Sequence, residues 1–131
     1  MKYLLDTSVW LWSLTASERI RPEGRKLIAN GEEEVYLSAV SSWEIAIKWA
    51  LGKLELPEPA ATYVPKRMTE QRIRPLPITH SHALAVSQLP AHHRDPFDRL
   101  LVAQAQAEGM VILTADRAFQ AYAVEIVWCG G

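Results

Sequence analysis

The sequence lacks the features that mark several large classes of protein. It has one cysteine, Cys129, so an internal disulfide is excluded and we expect a reducing, cytoplasmic location. It has no run of about 20 apolar residues, which a membrane-spanning helix requires. The apolar stretch after Lys2 is interrupted by Asp6, so it lacks the continuous core of a secretory signal. We therefore expect no membrane association.

An excess of charge of either sign is also missing. The formal net charge is −1, so overall positive charge cannot hold the protein to nucleic acid, although local basic patches remain possible. The sequence contains no internal repeat and no low-complexity tract. A length of 131 residues, of which 49% are hydrophobic, predicts a single globular domain over residues 1–131.

Apolar segments along the chain alternate between strand-like and helix-like patterns. The strands are predicted at 3–5, 35–39, 73–78, 110–113 and 124–128. The helices are predicted at 8–14, 23–30, 42–51, 80–89 and 95–109. The middle of the chain, with Pro57, Pro59 and Pro65, has no predicted element, and Pro75 and Pro77 place the third strand at a sheet edge. Alternation of helices with strands that are apolar on both faces indicates an α/β fold, a mostly parallel sheet of about five strands covered on both faces.

Aspartate is scarce, and all four aspartates lie at the ends of predicted elements. Asp6 directly follows the first strand, Asp116 comes after the fourth, and Asp95 and Asp98 open the helix between them. Because reactive groups gather beyond the carboxyl ends of parallel strands, Asp6, Asp98 and Asp116 can meet at one edge. Each aspartate alone is also a favoured helix N-cap, worth about 1 kcal/mol. Capping is our preferred interpretation of Asp95, which precedes Pro96.

Glu44 is a further candidate, because it lies on its predicted helix within or beside an apolar stripe that includes Ile47 and Leu51. A local explanation exists as well. Ser41 and Glu44 have capping-box spacing, and Lys48 can pair with Glu44 four residues along the helix. The sequence leaves the local and the functional explanations of Glu44 open.

Convergence of these acids would need a counter-charge. Two carboxylates about 4 Å apart repel by roughly 4 kcal/mol at an effective dielectric of 20, and several such pairs exceed what caps supply. A cluster therefore needs a cation or retained protons. Hard oxygen ligands favour Mg²⁺ or Mn²⁺, and the chemistry that follows is metal-assisted hydrolysis of a phosphodiester.

Four segments together resemble a known family. They are Leu-Leu-Asp-Thr-Ser at 4–8, Ser-Ala-Val-Ser-Ser-Trp-Glu-Ile at 38–45, His-Arg-Asp-Pro-Phe-Asp-Arg-Leu-Leu at 93–101 and Leu-Thr-Ala-Asp at 113–116. Each segment is weakly specific, but their order and spacing over essentially the whole chain resemble PIN-domain proteins, in particular VapC-type toxins of type II toxin–antitoxin systems. The resemblance implies a parallel α/β sandwich and a Mg²⁺- or Mn²⁺-dependent endoribonuclease. It also implies an RNA substrate, a VapB-like antitoxin that inhibits the enzyme, and a homodimer.

The resemblance also implies roles for individual residues. The catalytic and metal-binding acids would be Asp6, Glu44, Asp98 and Asp116. Thr7 and Thr114 would support the metal and its waters. Some family members carry a further acid shortly after the fourth, where this sequence has Arg117 and Ala118, so a second metal position would need Asp95.

Other residues carry weaker predictions. Arg94 and Arg99 flank the acidic helix start and are predicted to hold RNA phosphates. A looser basic segment, 66–74, is a candidate RNA approach surface. The tryptophans at 10, 12, 43 and 49 are expected mostly in the core, with an exposed subset available for a dimer face or an antitoxin helix. The four histidines lack metal-ligand spacing and are interpreted as surface or outer residues around the site, and Cys129 as inert.

Two alternatives compete with a metal-dependent nuclease. Asp6 at the end of the first strand fits an aspartyl-phosphate enzyme of the haloacid-dehalogenase type, but that pattern requires an aspartate two residues later, where Ser8 stands. A non-catalytic PIN-fold module that binds RNA or protein is the second alternative. It predicts that no divalent metal binds.

Overall fold

The computed structural model describes residues 1–92 and 94–131, in which strands and helices alternate. The strands are β1 (Lys2–Leu5), β2 (Glu34–Ser38), β3 (Arg74–Leu76), β4 (Val111–Thr114) and β5 (Ile126–Trp128). The helices are α1 (Thr7–Thr15), α2 (Pro22–Ala29), α3 (Ala39–Ala50), α4 (Ala60–Gln71), α5 (His80–Ala85) and α6 (Pro96–Glu108). Short 3-10 turns follow α1, α5 and β4 (Ser17–Arg19, Val86–Gln88 and Arg117–Ala121). None of these described helices has the length and apolar character that a membrane crossing requires.

The five strands form one parallel sheet in the order β3-β2-β1-β4-β5. Leu4 on the central strand β1 is in register with Tyr36 on β2 and with Ile112 on β4. All carboxyl ends therefore point to the same edge of the sheet. This arrangement confirms the predicted α/β fold, and it places β3, which contains Pro75, at a sheet edge as expected.

Each face of the sheet is covered by its own apolar core. Successive side chains of a strand point to opposite faces, so Leu4 and Ile112 pack against α6, while Leu5 and Leu113 pack against α1 and α2. All four are fully buried. The sheet therefore lies between two layers of helices.

The N-terminus of α6 is built as its sequence predicts. Asp95 Oδ1 accepts hydrogen bonds from the backbone amides of Phe97 (2.9 Å) and Asp98 (3.4 Å), and Pro96 is the first helical residue. Gly109 ends the helix with a φ of +65°, a left-handed conformation that glycine adopts without strain. The cap fixes the direction in which Asp98 leaves the first turn.

The start of α3 differs from the prediction by three residues. The helix begins at Ala39 because the buried Ser38 hydroxyl caps it, accepting a hydrogen bond from the Val40 amide (3.0 Å). The capping box between Ser41 and Glu44, one of the explanations left open for Glu44, is therefore excluded. Ser41 lies inside the helix, but the other local explanation of Glu44, a pair with Lys48 four residues along the helix, is present (Nζ to Oε2, 2.6 Å).

Helix α4 lies in the stretch for which no element was predicted. Pro59 occupies its N-cap position and Pro65 lies inside the helix, where it forgoes one backbone hydrogen bond. Ala60, Tyr63 and Val64 bury one face of the helix. Packing of this face outweighs the cost of the interior proline, which is why local sequence signals missed the helix.

Candidate active site

A pocket of about 320 Å³ opens at the carboxyl edge of the sheet, and every aspartate of the chain lines it. The acidic residues of its wall are Asp6, Glu44, Asp95, Asp98 and Asp116. They come from the ends of β1 and β4 and from the first half of α3 and the start of α6. The structure thus brings together the four acids that the sequence singled out as a site.

Asp6 is held in place by the neighbouring strand. Its carboxylate Oδ2 accepts a hydrogen bond from Thr114 Oγ1 (2.8 Å), and its side chain makes no capping bond to α1. Asp6 is 6% exposed, and this burial raises its pKa to about 6, assisted by the charges of Glu44 and Asp116 and opposed by the Thr114 hydrogen bond. The fold therefore disfavours the charged form of Asp6 unless a counter-charge is present.

The pKa of Asp98 is raised further than that of Asp6. Burial is the largest cause, and the neighbouring charges of Asp6, Asp95, Glu44 and Asp116 add to it, which raises the pKa of Asp98 to about 8. Near neutral pH and without a cation, this carboxyl group holds its proton. A perturbed pKa in a cleft is typical of functional sites.

Glu44 contributes the most unusual atom of the pocket. Its Oε2 receives a hydrogen bond from Lys48 Nζ (2.6 Å), which holds the pKa of Lys48 above its ordinary value. Its Oε1 is buried and has no hydrogen-bond partner among the described residues. Because an unpaired buried carboxylate oxygen is costly, Glu44 fits a site that takes a cation.

Asp116 and Asp95 combine a local role with a place on the pocket wall. Asp116 accepts a hydrogen bond from the Ala118 amide (2.9 Å), and its own amide donates to Thr114 Oγ1 (3.0 Å). The Thr114 hydroxyl therefore links Asp6 to the Asp116 backbone, in keeping with its predicted supporting role. Asp95 caps α6, as expected, and still faces the pocket.

Thr7 supports the site indirectly. Its hydroxyl donates to Ser41 Oγ (2.7 Å), a buried contact between the first turns of α1 and α3. The prediction placed this hydroxyl around a metal and its waters. The structure uses it to fix α3, which carries Glu44, against α1, which follows Asp6. Thr7 also lines the pocket, and its role beside a metal stays a prediction.

The arginine predictions have different outcomes. The Arg99 guanidinium donates to the backbone carbonyls of Pro90 (2.8 Å), Val86 (3.2 Å) and Leu89 (3.4 Å), so its contacts do not fit the predicted grip on RNA phosphates. These acceptors precede Arg99 in the chain by 9 to 13 residues, and no local pattern reveals them. Arg94 is exposed beside Asp95, and its contact with RNA stays a prediction.

Basic residues of the segment 66–74 are also engaged. Lys66, Arg67 and Arg74 form ion pairs with Glu58 (3.9 Å), Glu70 (2.9 Å) and Glu34 (3.1 Å), in that order. Exposed pairs of this kind contribute little to stability and can exchange partners. An RNA approach surface here stays a prediction.

Expectations for the tryptophans are met only in part. Trp10 is fully buried, and its Nε1 donates to Gln71 Oε1 (2.8 Å). Trp12 lines the acidic pocket. Trp43 is 56% exposed and Trp49 38% exposed, so these two make up the exposed subset that the sequence analysis allowed for.

His82 is a residue whose environment sequence reasoning missed. It was expected at the surface or just outside the site, but it is 2% exposed, with Nδ1 accepting from the Thr79 amide (3.1 Å) and Nε2 3.0 Å from Glu108 Oε2. The Thr79-to-His82 spacing of a capping box was the available signal. His80 and His92 are exposed, and His93 lies outside the described residues.

The acidic pocket suits a hard cation held partly through water. Within residues 1–92 and 94–131, no three Asp, Glu, His or Cys side chains are arranged to hold a metal ion by themselves. Mg²⁺, however, is usually bound through one or two carboxylates and keeps several waters. Oxygen donors, an unpartnered buried Glu44 oxygen and two carboxyls with raised pKa values fit such an ion.

Comparison with known proteins decides the family. The family model of the PIN domain matches residues 3–125. The chain belongs to the PIN domain family. A 60-residue stretch of this PIN domain is 47% identical to Ribonuclease VapC16 of Mycobacterium tuberculosis, covering 46% of the chain and 43% of that relative. The match therefore spans less than half of the relative's length.

Solved structures agree with this assignment. The PIN domain has the fold of a chain in VapBC2 from Rickettsia felis bound to a promoter DNA fragment, with a TM-score of 0.73, 13% identity and coverage of 97% of this chain and 98% of that one. FitAcB from Neisseria gonorrhoeae matches with a TM-score of 0.66 and 26% identity, over 95% of each chain. These findings confirm the resemblance and the predicted sandwich.

In this PIN domain the position after the fourth acid is basic. The Arg117 guanidinium lies 4.2 Å from the ring centroid of Trp128, a cation–π contact beside Asp116. The fifth acid on the pocket wall is Asp95.

Proposed function

We propose that this PIN domain is an endoribonuclease that depends on a divalent cation and acts as the toxin of a toxin–antitoxin pair. The observation that carries the proposal is the pocket whose wall holds all four aspartates together with Glu44, which has a buried oxygen without a partner among the described residues. The identity to a protein named as a ribonuclease supports RNA as the substrate.

The residues that would hold Mg²⁺ or Mn²⁺ are the four predicted acids, Asp6, Glu44, Asp98 and Asp116. A bound ion would lower the pKa of an attacking water and stabilise the leaving oxygen of the phosphodiester. The raised pKa values of Asp6 and Asp98 mean that the pocket stores protons when no cation is present. Cation binding is therefore expected to release protons.

The chain's own residues prepare the site through fixed positions. Thr114 orients the Asp6 carboxylate, the Asp95 cap directs Asp98, and the Thr7 contact with Ser41 fixes the helix that carries Glu44. Preorganised groups need no rearrangement when charge develops during hydrolysis. These fixed positions support hydrolysis of a phosphodiester as the chemistry of the site.

A VapB-like antitoxin is the proposed partner. The support is that this chain shares its fold with chains solved in VapBC complexes. Exposed apolar side chains on and after α3, Trp43 at 56% and Leu51 at 64%, offer surface for a partner. A homodimer stays a prediction of the family resemblance.

Cleavage of RNA by purified variants tests the enzyme. We expect Asp6→Asn and Asp98→Asn each to reduce Mn²⁺-dependent cleavage at least about 100-fold, because each removes a carboxylate from the cation pocket. Glu125→Gln is the matched control, since Glu125 is exposed and outside the pocket. Full cleavage by either aspartate variant would refute the role of that carboxylate.

Two further readouts separate the alternatives. A non-catalytic module predicts no heat when Mn²⁺ is titrated into the protein, whereas the nuclease predicts binding that Asp6→Asn weakens. A phosphoenzyme formed at Asp6 would instead favour the aspartyl-phosphate alternative. Ser8, which lines the pocket where that mechanism needs an aspartate, speaks against it.

A further inference from the structure

Lys48 is the one basic residue on the described wall of the acidic pocket. Its Nζ lies 2.6 Å from Glu44 Oε2, and its side chain is 50% exposed while that of Glu44 is 9% exposed. The pocket that is proposed to take a cation therefore already contains one, supplied by the chain.

The surroundings of this ion pair set it apart from an ordinary helix-surface pair. Pairs four residues apart on an exposed helix face are weak, local and replaceable by water. Here the carboxylate partner is buried and shares its pocket with four other carboxyl groups. One oxygen of Glu44 is engaged by Lys48, and the other, buried, has no partner within the described residues.

We propose that Lys48 is the resident counter-cation of this pocket and competes with a divalent ion for Glu44. An ion that takes Glu44 must displace the ammonium from Oε2 or do without that oxygen. The flexible, half-exposed lysine side chain can move out without disturbing the core. Its displaced charge then remains beside the pocket, where it can meet a substrate phosphate.

This inference rests on the proposed function for its use in catalysis, but the competition itself needs no RNA. Competition and a purely structural role of Lys48 predict opposite changes in cation affinity when Lys48 is replaced. If Lys48 only organised Glu44, its loss would weaken cation binding. If Lys48 competes, its loss strengthens cation binding.

Calorimetric titration of the full chain with Mn²⁺, after removal of divalent ions, measures whether the affinity rises or falls. Lys48→Met removes the ammonium and keeps the length of the side chain. Lys53→Met is the matched control, because it removes the same charge from an exposed position outside the pocket. We expect Lys48→Met to bind Mn²⁺ about three- to tenfold more tightly than the unmodified chain, and Lys53→Met to change the affinity less than about twofold.

Each outcome decides the matter. Unchanged or weaker Mn²⁺ binding by Lys48→Met would overturn the proposal, provided that thermal unfolding shows a folded protein. Lys48→Gln is the second variant if Lys48→Met does not fold, and the same sign is expected. Absence of Mn²⁺ binding in the unmodified chain and in both variants would overturn it too.

RNA cleavage by the same samples keeps the two proposals apart. Tighter Mn²⁺ binding by Lys48→Met, together with an unmodified chain that does not cleave RNA, would support the competition and contradict the proposed nuclease. RNA cleavage by the unmodified chain, without tighter Mn²⁺ binding by Lys48→Met, would support the proposed nuclease and contradict the competition.

Discussion

Asp98 and Asp6 are carboxyl groups that the folded chain holds partly protonated. Their pKa values of about 8 and about 6 lie above the ordinary value of 3.8, so the folded state binds protons that the unfolded chain releases. Stability contributed by such groups is fully present below about pH 4 and is lost as the pH rises through about 6 and then about 8. We therefore expect the melting temperature of the cation-free protein to fall between about pH 5 and pH 8.5.

The size of this loss is limited by solvent. A shift of one pKa unit corresponds to about 1.4 kcal/mol, so the buried Asp6 contributes at most about 3 kcal/mol, and the more exposed Asp98 contributes less than its shift suggests. Scanning calorimetry across the pH range measures the loss. In Asp98→Asn the slope above about pH 6 should flatten. An equally steep slope in that variant would show that Asp98 is not the titrating group.

The role of a residue could be predicted from the sequence when its partners are close to it in the chain, and not when they are distant. Asp6 and Asp98 were predictable because strand ends and helix starts leave local signals. The unpartnered oxygen of Glu44 was not predictable, because it depends on which groups the fold brings around α3. Arg99 was misassigned for the same reason, since its acceptors are backbone carbonyls of an earlier turn.

At the scale of elements, the start of α3 depends on a contact between residues that are far apart in the chain. Ser38 and Ser41 are equally good N-caps by sequence, but only Ser38 Oγ meets Gln104 Oε1 (2.5 Å), 66 residues away on α6. Gln104 Nε2 also lies 3.2 Å from the Pro77 carbonyl and 3.3 Å from His82 Nδ1. A single buried amide thus joins α3, α5 and α6.

Replacement of Gln104 tests this connection. Gln104→Leu leaves the buried Ser38 hydroxyl, the Pro77 carbonyl and His82 without their amide partner, so we expect a loss of about 2–4 kcal/mol in the free energy of unfolding. Urea denaturation measures it. Gln106→Leu is the control on the same helix, because Gln106 is exposed, and its effect should stay within about 0.5 kcal/mol. Equal losses in both variants would contradict the role of the network.

Helices differed in how much of them local signals could predict. Helix α6 has strong local signals at both ends, the Asp95 cap at its start and Gly109 at its end. Its bounds were therefore predicted closely. Helix α4 has Pro65 in its interior and begins after Pro59, and its stability comes from burial of Tyr63 and Val64 against the core. Tertiary packing of this kind has no signature within a short window of sequence.

For the molecule as a whole, the acidic pocket is a junction between distant parts of the chain. Its acids come from β1, α3, α6 and the end of β4, which belong to both layers of the sandwich. A cation bound there bridges elements that must separate when the protein unfolds. Binding should therefore stabilise the entire domain rather than one loop, by about 2.7 kcal/mol at a concentration 100 times the dissociation constant.

That stabilisation predicts a thermal shift. For a domain of this size, about 2.7 kcal/mol corresponds to a rise of roughly 8–12 °C in the melting temperature with Mn²⁺, read from scanning calorimetry as one cooperative transition. The double variant Asp6→Asn with Asp98→Asn should show little or no shift, because two of the carboxylates that recruit the ion are neutral. Glu125→Gln should shift like the unmodified chain. A full shift in the double variant would mean that the ion binds elsewhere, and a shift confined to a partial transition would mean that the pocket does not join the two layers.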